Sequence, residues 1–126
     1  MPVRSLSSSV FKWPDARTVD HAVRAWAKAQ AERRSDILRI GYLGSYARGD
    51  WGVGSDVDIL IVVQDSDRPF AQRPLAFDAT CLPVPADVLV YTHAELRALS
   101  TGQMRFARVL SSESVWVYDR SREGAD

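Results

Sequence analysis

The chain has 126 residues, 46% of them hydrophobic and 25% charged, the balance of an ordinary globular domain with one core. Its 16 basic residues offset its 16 acidic ones, so the bulk charge points to no nucleic-acid or membrane partner, and any phosphate binding has to be local. The lone Cys81 excludes an internal disulfide framework, and no apolar run reaches the roughly 18 residues that cross a bilayer. Met1-Pro2-Val3-Arg4 and the Ser-rich stretch after it lack the apolar core of a signal peptide, so a cytoplasmic protein is the expectation.

Val19, Ala22, Val23 and Trp26 carry the i, i+3, i+4, i+7 spacing of an amphipathic helix over 15–33, with Pro14-Asp15 ahead and Arg33-Arg34 favouring its C-terminal dipole. Ile37 to Leu43 reads as a mostly buried strand running into Gly44-Ser45. Five of the seven glycines then fall between Gly41 and Gly54, so the backbone there is bent or closely approached. Asp56 to Val63 is the clearest strand, apolar on both faces past its first three residues, and belongs in the middle of a sheet. From Gln64 to Pro85 the pattern weakens under Pro69, Pro74, Pro83 and Pro85, which predicts an irregular crossover with one short strand or helical turn. Ala86 to Tyr91 is a third strand. Thr92-His93-Ala94-Glu95 has the form of a capping box opening a helix to about Leu99, with Gly102 separating it from a helix over 103–111. Val115 to Tyr118 is a short last strand. Residues 1–14 and 120–126 are expected to be loosely ordered parts of one domain spanning 1–126.

The chemistry concentrates in Gly44-Ser45-Tyr46-Ala47-Arg48-Gly49, six further residues, and Ser55-Asp56-Val57-Asp58. At the end of a buried strand, Gly44 permits a sharp turn and close approach of a ligand, and Ser45 offers a hydroxyl and an N–H, the makings of a phosphate cradle. Arg48 lies one helical turn on, where its guanidinium meets either a phosphate oxygen or a neighbouring carboxylate such as Asp50. Ser55 either stabilises a turn or, like Arg48, meets a phosphate. Asp56 and Asp58, spaced i, i+2 in a strand, leave the same face about 7 Å apart at Cα. Two such carboxylates repel unless a hard divalent ion lies between them, and Mg²⁺ takes oxygen ligands from both and from a nucleotide's phosphates. Asp87, near the start of the next strand, offers a third carboxylate, with Asp78 as its competitor. Other motifs fail: the glycine spacings of Gly49, Gly52 and Gly54 are reversed for a dinucleotide fingerprint, and no Gly-Lys-Ser/Thr loop is present. Cys81 reads as packing, Trp26 and Trp116 as core, and Trp51 as an exposed ring with base stacking as a minor reading.

This combined motif resembles the signature of the DNA polymerase β-type nucleotidyltransferase superfamily, and within it the minimal nucleotidyltransferase branch. The resemblance covers about Ile37 to Tyr91 and implies an α/β (α+β) fold, a mixed sheet of about four strands flanked by helices. It implies that Gly44 and Ser45 bind the triphosphate, with Arg48 and Ser55 as further nucleotide-binding candidates. Asp56, Asp58 and Asp87 would be the catalytic and metal-binding carboxylates of a two-metal Mg²⁺ site, with ATP as the substrate. The activity implied is transfer of a nucleoside monophosphate to an acceptor hydroxyl with release of pyrophosphate. Stand-alone members often act as antitoxins that modify a HEPN-family toxin on tyrosine, and a chain of this length leaves no room for a separate acceptor-binding domain, so a partner chain is the expected acceptor. Two other classes stay open: a small-molecule (aminoglycoside-type) nucleotidyltransferase, and a nucleotide-binding or partner-docking module without turnover. The Pro-rich segment before Asp87 departs from the regular helix of many relatives.

Overall fold

The computed structural model describes residues 13–123 and opens on helix α1 (Ala16–Arg33). Asp15 caps it, its carboxylate accepting the Thr18 N–H at 2.9 Å, which satisfies a donor that the first turn leaves without a carbonyl. The helix buries Val19, Val23 and Trp26 of the stripe that the sequence spacing predicts, with Ala27 buried and Ala22 only half-buried, and full burial of each large apolar side chain contributes about 1.5–3 kcal/mol. Strand β1 (Ile37–Leu43), the single-turn helix α2 (Ser45–Arg48) and strand β2 (Val57–Val63) follow. A 3-10 segment (Phe70–Ala76) leads to strand β3 (Ala86–Thr92), helix α3 (His93–Gly102), helix α4 (Met104–Ser112), strand β4 (Val115–Asp119) and a short helix α5 (Arg120–Glu123).

The four strands form one mixed sheet in the order β3-β2-β1-β4, with β1 antiparallel to β2 and β4 and β2 parallel to β3. Side chains alternate across it. Val57, Ile59, Ile61 and Val63 of β2 pack with α1, Phe77, Leu82, Val84 and Val90 on one face. Leu60 and Val62, equally buried, turn to the other face, which Leu96 of α3 helps to cover. Burial on both faces is what the unbroken apolar run of β2 calls for. The Tyr42 hydroxyl donates to Asp20 at 2.7 Å and ties β1 to α1, while burial and that bond push the Tyr42 hydroxyl's pKa above its ordinary value.

The crossover follows its prolines. Pro74, lacking an N–H, sits inside a segment closed by i to i+3 bonds, Gln72 N–H to Pro69 at 2.9 Å and Phe77 N–H to Pro74 at 3.0 Å. Arg73 within it is buried with its donors engaged: Nη1 and Nη2 bind the Glu95 carboxylate at 2.6 and 3.0 Å, Nη1 the Val90 carbonyl at 3.1 Å, and Nε the Arg68 carbonyl at 3.0 Å. Glu95 also closes the capping box with Thr92.

Three details depart from the sequence reading. Gly102 does not separate the two helices but ends α3, because the break comes where Gln103 adopts an extended φ of −135°. Cys81 is exposed in the crossover rather than packed. Of the segments expected to be loosely ordered, 1–12 and 124–126 lie outside the described residues, Trp13 packs against the core, and Arg120–Glu123 is helical. Among the described residues, no helix is long and apolar enough to cross a membrane.

Candidate active site

The sheet register assembles the site. Asp58, second residue of β2, lies opposite Leu43 on β1 and opposite Asp87 on β3, so the end of β1 and the starts of β2 and β3 meet at one end of the sheet. Asp56 immediately precedes β2 and brings its carboxylate to the same place. One oxygen from each of Asp56, Asp58 and Asp87 lies within 4.8 Å of the others. Asp78, the competing third carboxylate, stands apart from this cluster: it is exposed and accepts from the N–H and hydroxyl of Thr80 at 3.0 and 2.6 Å.

Gly44 is fixed here by two separate demands. Its φ of +89° lies in the left-handed region, and a Cβ at this position would sit 2.8 Å from Oδ2 of Asp58. The chain therefore turns directly beneath the middle carboxylate. Ser45 starts α2, whose last turn closes through Gly49 at φ +92°, with the Gly49 and Asp50 N–H groups donating to the Ser45 carbonyl at 2.9 and 3.1 Å. Tyr46 anchors the turn from below: it is buried, its hydroxyl donates to the Pro14 carbonyl at 2.8 Å, and Trp51 stacks on it at 5.5 Å. Trp51 is thus half-buried packing for the loop, not the exposed ring of the sequence reading. Ser55 closes the turn before β2, its Oγ accepting the Gly52 N–H at 2.9 Å.

The electrostatics of the cluster are one-sided. Burial, then the charges of Asp56 and Asp87, hold the Asp58 carboxyl above its usual range, and the nearby Arg48 only partly offsets them. Arg48, exposed at the end of α2, pairs with Asp50 at 3.2 Å and with Glu113 at 3.9 Å. Glu113, 65 positions along the chain, has no local sequence signal that would mark it as a neighbour. Three converging carboxylates supply only hard oxygen donors and a negative charge that Arg48 compensates only in part, the donor set that suits a divalent cation such as Mg²⁺.

A cleft of about 980 Å³ opens beside Asp58 and Asp87 and runs along the outer side of β3, walled by the crossover from Pro74 to Pro85. Asp78 and Thr80 lie on that wall, so Asp78 borders the site without joining the cluster. Sequence reading missed this wall, and the spaced prolines were its only visible sign.

The sequence profile of the nucleotidyltransferase domain family matches residues 24–111. Among solved structures, the fold is similar to a Sulfolobus solfataricus protein described as a nucleotidyltransferase, with a TM-score of 0.62 and 20% identity over 84% of this chain and 85% of that one. It is also similar to a toxin–antitoxin structure with AMP-PNP, with a TM-score of 0.51 and 16% identity over 76% of this chain and 73% of that one. No curated protein sequence gives a significant match.

Proposed function

The chain belongs to the nucleotidyltransferase domain family, and on that premise we propose that it transfers a nucleoside monophosphate from ATP to an acceptor hydroxyl and releases pyrophosphate. The observation that carries this reading is the convergence of Asp56, Asp58 and Asp87 within 4.8 Å beside a glycine that leaves no room for a side chain. These three carboxylates would hold Mg²⁺, in a two-metal site, which neutralises the phosphates and polarises the reacting phosphorus. Gly44 and Ser45 would cradle the β and γ phosphates, with Arg48 and Ser55 at the nucleotide's rim. Asp87, on the outermost strand of the three, would orient the acceptor hydroxyl. Positioning and charge neutralisation then supply most of the rate.

The acceptor, in this reading, comes from a partner chain. The similarity to a toxin–antitoxin structure supports an antitoxin role, with a tyrosine of a HEPN-type toxin as the modified group. Incubation with ATP labelled at the α-phosphate, Mg²⁺ and the candidate partner tests it: label should move to the partner and stop on chelation with EDTA. Nucleotide binding with no label reaching any protein, RNA or small molecule would instead make the chain a nucleotide-sensing module.

A further inference from the structure

The acceptor side of the site has a backbone of its own to offer. In the sheet, β1 with Gly44 lies on one side of Asp58 and β3 with Asp87 on the other, so the phosphate cradle and the long cleft flank the carboxylates from opposite directions. In-line displacement needs the leaving group and the attacking oxygen on opposite sides of the phosphorus. The cleft along β3 is therefore where an acceptor enters.

The β3 side of that cleft is an unpaired sheet edge. The Val57 N–H donates to the Pro85 carbonyl at 2.9 Å, and in parallel pairing the backbone groups of alternate residues turn to the same neighbour. Pro85, Asp87 and Leu89 thus face β2, and Ala86, Val88 and Val90 face outward. Arg73 occupies the Val90 carbonyl and ends the open stretch there. Among the described residues, nothing pairs with the Val88 N–H or carbonyl. An open edge of this kind takes an extended segment as an added strand, with backbone bonds giving affinity and side chains giving choice.

Charge selects the segment. Asp58, Asp78 and Asp87 line the cleft, and none of the described residues lining it is Lys or Arg. The inner carboxylates would be offset by any metal ions they hold, but an incoming triphosphate would return the excess of negative charge. A polyanionic acceptor is repelled and a basic one drawn in.

We propose that the acceptor is an extended, basic polypeptide segment that pairs with the β3 edge at Ala86 and Val88 and presents a side-chain hydroxyl at Asp87. This rests on the nucleotidyltransferase reading above and adds to it the conformation and charge of the substrate. In the step itself, the hydroxyl oxygen forms a bond to the α-phosphorus of a nucleoside triphosphate and the bond from that phosphorus to the bridging oxygen breaks. Pyrophosphate departs with the electron pair, and the hydroxyl proton passes through Asp87 to solvent.

The test uses the full chain, α-labelled ATP and Mg²⁺ with four probes: a peptide of alternating valine and lysine carrying one tyrosine, the same peptide with alternate backbone amides N-methylated, a single-stranded oligonucleotide with a free 3′-hydroxyl, and an aminoglycoside. N-methylation keeps the hydroxyl and the charge but removes the backbone donors, so it should cut labelling of the peptide about tenfold or more. Val88→Pro, which removes the donor on the protein's side, should cut it similarly. Equal labelling of the parent and N-methylated peptides would overturn strand addition, and preferential labelling of the oligonucleotide or the aminoglycoside would overturn the peptide assignment. Mg²⁺-dependent pyrophosphate release without peptide labelling defeats this inference alone. Absence of Mg²⁺-dependent nucleotide binding defeats the transferase reading with it.

Discussion

Two charged clusters lie at opposite ends of β3, and they are built on opposite principles. At one end Arg73 and Glu95 form a two-pronged ion pair whose guanidinium also serves two backbone carbonyls. At the other, Asp56, Asp58 and Asp87 converge within 4.8 Å with like charge, relieved only in part by an exposed arginine. The first stabilises the chain that makes it. The second carries a mutual repulsion that a bound cation would relieve, the arrangement expected of a site kept for a ligand. Variants at the two ends should accordingly separate stability from activity.

The largest effect is expected at Asp58. Asp58→Asn keeps the size of the side chain but removes the charge that a divalent ion needs, so transfer should fall about 10³-fold. Folding stability should hold or rise by up to about 1 kcal/mol, because a repelling carboxylate leaves the cluster. Label transfer and thermal melting measured on the same preparation check both halves. Near-normal turnover would sink the metal assignment, and a lost fold would make Asp58 a structural residue.

Arg73→Met should do the reverse. The methionine fills space but leaves the Arg68 and Val90 carbonyls without their donor, while the half-exposed Glu95 can rehydrate. A loss of about 2–3 kcal/mol follows, a fall in Tm on the order of 10 °C. The folded fraction should still bind nucleotide, since none of the three aspartates is among Arg73's partners. A Tm within about 2 °C of wild type would remove Arg73 from the scaffold.

The two ends also differ in how much of them could be read from the sequence. Asp56 and Asp58 are two positions apart at the start of one apolar run, so a period of two suggested their shared face even though β2 itself begins at Val57, and Gly44 was marked by its place between a buried strand and a glycine run. The strands read at 37–43 and 56–63 stood out because their neighbours in sequence are turns, and the second begins one residue later, at Val57. Asp87 was one of two candidates, because choosing it over Asp78 requires the β2–β3 register, a long-range fact. Arg73 was invisible: apart from the Arg68 carbonyl, its partners lie 17 and 22 positions away, across a proline-spaced segment with no periodicity. The capping box at Thr92 was legible, but the second task of Glu95 was not.

Acid should distinguish the clusters again, more gently. The guanidinium of Arg73, then the Thr92 N–H, hold the Glu95 carboxyl at about 2, below its ordinary 4.5. Its contribution is therefore present above about pH 4.5 and lost as pH falls toward 2. Because the Glu95 side chain is 42% exposed, screening limits the contribution to about 1 kcal/mol. Asp58 has the opposite sign: its raised carboxyl protonates sooner in the folded state, so acid relieves the carboxylate end while loosening the other. Denaturant unfolding of wild type and Glu95→Gln should show a stability gap that closes between pH 5 and 2. A gap independent of pH would mean that shape, not charge, holds Glu95.

Arg48 carries the smallest expected effect and decides whether the carboxylate end has a cationic rim with a function. Its pairs with Asp50 and Glu113 are exposed and long, so Arg48→Ala should change stability by no more than about 0.5 kcal/mol. A guanidinium that also meets the nucleotide's phosphate contributes to ground-state and transition-state binding alike, so its loss appears in KM and leaves kcat nearly untouched. A rise of about fivefold in the KM for ATP, about 1 kcal/mol, is the expected result. Asp50→Ala provides the contrast: it frees Arg48 from one carboxylate without removing its charge, so the KM should stay level or fall. An unchanged KM in Arg48→Ala would give the residue to the loop scaffold, leaving the three aspartates with no fixed cation at their rim.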